Sequence, residues 1–222
     1  MPPTIEHNDH TIDIPKYQES LIAWGEKNFR PYPWRNDDDP FLTLMVEIML
    51  HRTRSDQVAP VYVSFSARYS SPEDIIEADR EEIADAIQSL GLHSRTDRII
   101  EIAHLLRDEH GGGVPADRES LLSLPGVGPY IAGAVRCFAY HEVDTLPDTN
   151  TLRITSRLFG RDDIDNPYRN KTLHGLIERM AMPEQISGYY YALLDLAARV
   201  CHPSDPECER CPIRQWCKHG RA

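Results

Sequence analysis

Apolar residues recur at the spacing of an α-helix along nearly the whole of this chain, and no stretch alternates convincingly as a half-buried strand does. That periodicity predicts an all-α architecture. Helices are expected over 17–29, 41–50 and 55–69, from the start Ser71-Pro72-Glu73-Asp74, and over 80–88, 94–110 and 117–123. Further ones are expected over 129–139, 149–159, 169–180 and 186–199. Two prolines, Pro31 and Pro33, bar continuation of the first helix, because proline has no N–H for the ladder. Pro60 is expected near the first turn of its helix, where a missing N–H costs nothing. Ser71 ahead of Pro-Glu-Asp is an N-cap signature. Residues 141–146 are the only short candidate for extended chain. The 222 residues suffice for one large domain or two small ones with real cores.

No apolar run reaches the length of a membrane span. The N-terminal MPPTIEHNDHTIDIPKYQ lacks the basic and apolar regions of a signal peptide, so a cytoplasmic protein is expected. The formal charge of −11, from 24 Lys+Arg against 35 Asp+Glu, argues by itself against nucleic acid as a partner. The acid is blocked, however, at Asp37–Asp39, Glu73–Asp85 and Asp162–Asp165. A basic stretch, His51–Arg54, and the arginines 136, 153 and 157 leave room for a local positive surface.

Four of the five cysteines form one run, Cys201, Cys208, Cys211 and Cys217, with six, two and five residues between them. Disulfides, a zinc ion and a [4Fe-4S] cluster are all open to such a run. Cys137, in an apolar helix, reads as a core thiol. In Leu124-Pro125-Gly126-Val127-Gly128-Pro129-Tyr130, two glycines permit a tight turn and a close approach of backbone to a partner, and a helix N-terminus follows. That arrangement suits either an ordinary interhelical turn or a phosphate oxygen. Asp148 precedes a helix and reads as an N-cap. Glu47 is the one acid of FLTLMVEIML; buried there, it must be hydrogen-bonded, paired or protonated.

Taken together, L-P-G-V-G-x-Y, an Asp twenty residues past Gly128, and C-x6-C-x2-C-x5-C resemble the helix-hairpin-helix DNA glycosylases that carry an iron-sulfur cluster, the endonuclease III and adenine glycosylase superfamily. The likeness runs from about residue 17 to 217. It implies two helical domains, 33–143 with the hairpin and 1–32 plus 144–222 with the cluster, and a DNA-binding cleft between them. It also implies that Cys201, Cys208, Cys211 and Cys217 hold a [4Fe-4S] cluster. Within the superfamily, Pro33-Trp34-Arg35, Glu47 and Arg52-Thr53 resemble the adenine glycosylases and the archaeal-type thymine mismatch glycosylases. Tyr130 stands where the endonuclease III branch has its Schiff-base lysine and adenine glycosylases usually have serine. His51-Arg52-Thr53 replaces the Gln-Gln-Thr usual in adenine enzymes. Only five residues follow Cys217, where adenine glycosylases typically continue into a further domain.

The resemblance therefore implies a monofunctional hydrolase of base excision repair. It would remove thymine or uracil opposite guanine from mismatched double-stranded DNA, as a monomer. The alternatives are an adenine glycosylase acting opposite guanine or 8-oxoguanine, and a non-catalytic hairpin protein that binds DNA. By the same likeness Asp148 stabilises charge on the sugar, Glu47 contacts the base or water, and Tyr130 confines the flipped pyrimidine. Gly126, Val127 and Gly128 grip phosphate. His51, Arg52, Thr53 and Gln57 face the opened duplex, and Arg210 and Arg214, with Lys218 and Arg221, offer charge to DNA phosphate.

Overall fold

The computed structural model describes residues 4–7, 10–91, 94–161 and 167–221. The acidic run 162–165 lies outside them. The chain divides into two units, Pro31–Tyr140 and Met1–Arg30 with His141–Ala222.

The α-helices of the Pro31–Tyr140 unit are α2 (Pro40–Leu50), α3 (Ser55–Ser66), α4 (Pro72–Glu77), α5 (Arg80–Ile87), α6 (Ser94–His110), α7 (Arg118–Ser123) and α8 (Pro129–Phe138), and its described residues contain no strand. Helix α2 is its centre. Eight of its eleven residues are buried, Glu47 among them, as befits a helix that is apolar all round. Leu44, Met45 and Ile48 of α2 share one core with Phe65 of α3, Ile99 and Leu106 of α6, and Ala132 and Val135 of α8. Each fully buried large side chain of that set contributes roughly 1.5–3 kcal/mol. The acid blocks are structural here as much as solvated. Asp39 N-caps α2 by accepting from the Leu42 N–H at 2.8 Å. Ser71 and Asp74 form a capping box on α4, and Glu81 and Glu82 sit in the first turn of α5, where the helix dipole favours negative charge. Pro60 lies inside α3 rather than in its first turn, because Ser55 already starts the helix. The ring therefore denies an N–H to the Asp56 carbonyl.

Among the described residues, the departure from an all-α chain lies in the second unit. Strands β1 (Thr4–His7) and β2 (His10–Asp13) pair antiparallel, with Ile5 opposite Ile12, both buried. Four residues per strand, with one isoleucine each, are too few to print a period of two. Asp13 then caps α1 (Ile14–Asn28) through the Lys16 N–H, which starts the helix earlier than residue 17. Residues 141–146 form no strand. Helix α9 (Thr149–Phe159) packs on α10 (Lys171–Met180), α11 (Ile186–Arg199) and the short α12 (Lys218–Arg221). Helix α1 lies so close to α11 that a Cβ on Gly25 would stand 2.7 Å from that of Ala192. Asp195, fully buried on α11, accepts from the Arg30 backbone N–H at 2.9 Å and from its guanidinium. Removing one partner of so buried a pair costs roughly 3–5 kcal/mol.

Candidate functional site

In the Pro31–Tyr140 unit the segment between α7 and α8 is a turn closed by the Val127 N–H on the Leu124 carbonyl at 3.1 Å. Gly126 occupies its third position with φ +74°, the left-handed conformation that such a turn demands. Val127 is 6% exposed and anchors the turn in the core. This corrects the expected role of Val127: its amide is committed inside the turn and does not point to a phosphate. The outward donors are the N–H groups of Gly128, the N-cap, and of the first turn of α8, which lack intrahelical acceptors in any α-helix. Pro129 follows Gly128, and Tyr130 comes next, half-buried against the core. Helices α2 and α8 pack on each other, carrying Glu47 at 5% exposure and Tyr130. Arg98 of α6 lies directly over the turn. A Cβ on Gly126 would fall 2.6 Å from its Cδ and Cζ.

Residues 51–54 link α2 to α3. His51 caps α2, the Thr53 N–H bonds the Leu50 carbonyl at 3.0 Å, and Arg54 caps α3. Between them Arg52 takes φ +62°, strained for a residue with a Cβ. His51, Arg52, Arg54 and Gln57 are exposed. Beneath the loop, Arg95 is 1% exposed and donates to the His51 carbonyl and, at 2.7 Å, to Thr53 Oγ1. Burial, then the cations of Arg52, Arg95 and Arg98, hold the His51 imidazole below its ordinary pKa of 6.5. Reading the sequence missed Arg95 and Arg98, since two arginines three apart on a helix look like a solvated face.

In the other unit Asp148 is the N-cap of α9, with a capping box to Thr151. Its Oδ1 accepts from the N–H groups of Asn150 at 3.0 Å and Thr151 at 2.7 Å, and its Oδ2 from Asn150 Nδ2 at 2.7 Å. The chain of bonds continues: Arg153 Nη2 donates to Asn150 Oδ1 at 3.1 Å, and Arg153 Nε to the Cys201 carbonyl at 3.0 Å. Tyr168 is 51% exposed; partial burial, then the Asp148 charge, raises its pKa.

Cys201, Cys208, Cys211 and Cys217 line one cavity, together with Arg157, Arg214 and Gly220. Burial first, then the neighbouring cysteine sulfurs, push the Cys211 thiol up to about 12. Arg157 donates to Cys201 Sγ at 3.3 Å and the Gly220 N–H to Cys217 Sγ at 3.4 Å. Among the described residues no three His, Cys, Asp or Glu side chains converge to hold a metal ion as they stand. Four thiols around a shared cavity, with one guanidinium and one N–H directed at sulfur, nevertheless fit an anionic iron-sulfur cluster. The loop's own cations, expected to offer charge to DNA, make contacts within the loop. Arg210 pairs with Glu207, and Arg214 pairs with Glu209 and donates to the Gly220 carbonyl at 2.9 Å. Arg221 donates to the Cys217 carbonyl at 3.3 Å, and the Lys218 stem lies against Gly160. Cys137 is buried in α8, as a core thiol would be.

A glycine turn seated between two helices of a helical unit defines a helix-hairpin-helix protein. The profile of the HhH-GPD superfamily base excision DNA repair proteins matches residues 45–179, and the chain belongs to that superfamily. The thymine/uracil-DNA glycosylase of Methanothermobacter thermautotrophicus is 32% identical over 204 residues, covering 91% of this chain and 92% of that protein. The adenine DNA glycosylase of Mycobacterium tuberculosis H37Rv is 32% identical over 200 residues, which cover 89% of this chain but 66% of that protein. The solved structure of a thermostable thymine-DNA glycosylase superposes with a TM-score of 0.88 at 31% identity, covering 94% of this chain and 96% of that one. Among the described residues no helix is long and apolar enough to cross a membrane.

Proposed function

We propose that this protein is a monofunctional DNA glycosylase that hydrolyses the N-glycosidic bond of thymine or uracil mispaired with guanine. One observation carries the reading: Tyr130 is the second residue of α8, just after the hairpin, in a chain similar over nine-tenths of its length to a thymine/uracil-DNA glycosylase.

The glycosidic bond is out of reach in a stacked duplex, so the nucleotide is flipped out, and a mismatch lowers the cost. The N–H groups of Gly128 and the first turn of α8 hold a backbone phosphate, with Gly126 shaping the turn. His51, Arg52, Thr53 and Gln57 face the gap that the base leaves. Tyr130 confines the extruded pyrimidine. As the C1′–N bond breaks, its electron pair leaves with the base and positive charge grows on the sugar. Asp148, held by three donors, stabilises that charge and orients the water that attacks C1′, whose proton ends on the departing base. Glu47 hydrogen-bonds the base or orders water. Tyrosine has no amine to form a Schiff base, so the base is released and an abasic site stays in the intact strand. A [4Fe-4S] cluster held by Cys201, Cys208, Cys211 and Cys217 would tie the C-terminal loop together. Arg153 and Arg157 attach that loop to α9, the helix that Asp148 caps.

The test is a panel of labelled duplexes, each with one mispair, incubated with the protein and then treated with or without alkali. Cleavage of G:T and G:U duplexes only after alkali supports the reading. Excision confined to A opposite guanine or 8-oxoguanine would transfer the protein to the adenine branch.

A further inference from the structure

Arg95 is buried beneath the 51–54 loop and serves it at two points, on either side of Arg52. No carboxylate among the described residues pairs with it, and its Nε and Nη1 find no hydrogen-bond partner there. A buried cation without a counter-ion is costly. Packing alone would be better served by leucine or methionine. What an arginine supplies is a rigid planar fork that reaches two acceptors at once. Those acceptors, the His51 carbonyl and Thr53 Oγ1, flank the one residue of the loop whose φ is positive. A residue with a Cβ holds that conformation only where its surroundings impose it.

We infer that Arg95 is a positioning residue for base extrusion: it clamps the loop on both sides of Arg52 and so fixes the direction in which the Arg52 side chain leaves the surface. The inference rests on the glycosylase reading for what the loop enters, a duplex at the vacated base. Arg98, one turn further along α6, covers Gly126 of the hairpin. The first turns of α6 thus support both segments assigned to DNA in this unit. The pair also explains why Arg52 is presented from a cationic ground, with Arg95 and Arg98 acting on His51.

The test uses the full chain with Arg95→Met, and with Thr53→Val, which keeps the side-chain volume and removes only the hydroxyl acceptor. Three readouts are needed: trypsin cleavage at Arg52 and Arg54, fluorescence of 2-aminopurine beside a G:T mismatch as a report of extrusion, and affinity for the duplex. We expect cleavage about tenfold faster in both variants, because it follows the population of the opened loop. The fluorescence rise should fall about tenfold, the size of one charged hydrogen bond. For Arg95→Met, affinity should stay within about threefold, since the phosphate contacts are untouched. If Arg95→Met does not fold, Thr53→Val carries the cleavage and extrusion readouts. Cleavage and extrusion both unchanged would overturn the inference. Faster cleavage with normal extrusion would reduce Arg95 to a structural residue and overturn it equally. If the unsubstituted protein extruded nothing, the glycosylase reading would fall, and the proteolysis readout would still judge the clamp.

Discussion

Asn150 holds the Asp148 carboxylate with its side chain, Nδ2 on Oδ2 at 2.7 Å, while its own Oδ1 is held by Arg153 at 3.1 Å. Asp148 is thereby fixed by more than its cap. We expect Asn150→Ala to slow single-turnover excision about ten- to a hundredfold, the equivalent of one charge-assisted hydrogen bond of about 1.5–3 kcal/mol. The melting temperature should barely move. An unchanged rate would show that the carboxamide does not position Asp148.

One substitution separates the cap that Asp148 forms from the catalytic role proposed for it. Asparagine caps helices as well as aspartate does, so Asp148→Asn keeps the start of α9 and removes the charge. Excision should drop about a hundred- to a thousandfold, as when a charge-stabilising group is lost, with stability preserved. Asp148→Ala should lose the same activity and about 1 kcal/mol of stability besides. Full activity in the asparagine variant would leave Asp148 a cap and nothing more.

A side chain at Gly126 meets a backbone φ of +74° and must push the Arg98 side chain aside. Gly126→Ala should cost about 1–2 kcal/mol in backbone strain and displace Arg98. Calorimetry reads the first effect. Weaker binding to any duplex, matched or mismatched, reads the second, because phosphate contacts carry no sequence information.

His51 makes stability depend on pH in one direction. Its folded-state pKa lies below its ordinary 6.5, so the unfolded chain takes up the proton first as pH falls. Its stabilising contribution is therefore complete above about pH 6.5 and is lost on acidification through the lowered folded value. Denaturant melts at pH 7.5 and 5.5 should show a smaller loss for His51→Asn than for the parent. An equal loss would remove His51 from the cationic group around Arg95.

Most helices were legible because each carries its own punctuation: Ser71 and Asp74, Pro129, Asp148 and Gly160 mark ends that the structure keeps. The β1–β2 hairpin was not, since Ile5 and Ile12 find each other across a turn and neither strand repeats. Arg95 was illegible for a different reason. Its partners lie 44 and 42 residues away, and only tertiary packing brings a loop over it. Val127 was misjudged because the turn that makes the hairpin also consumes its amide. Arg210 was open to a closer reading, since Glu207 stands three residues before it.

The assignment of a hydrolase without lyase activity stands most directly on Tyr130. Duplexes with one end-labelled G:T or G:U mispair, incubated with excess protein, should stay intact on a denaturing gel until heated in alkali. Borohydride should trap no protein–DNA adduct. Strand cleavage by the protein alone, with a trapped adduct, would contradict it.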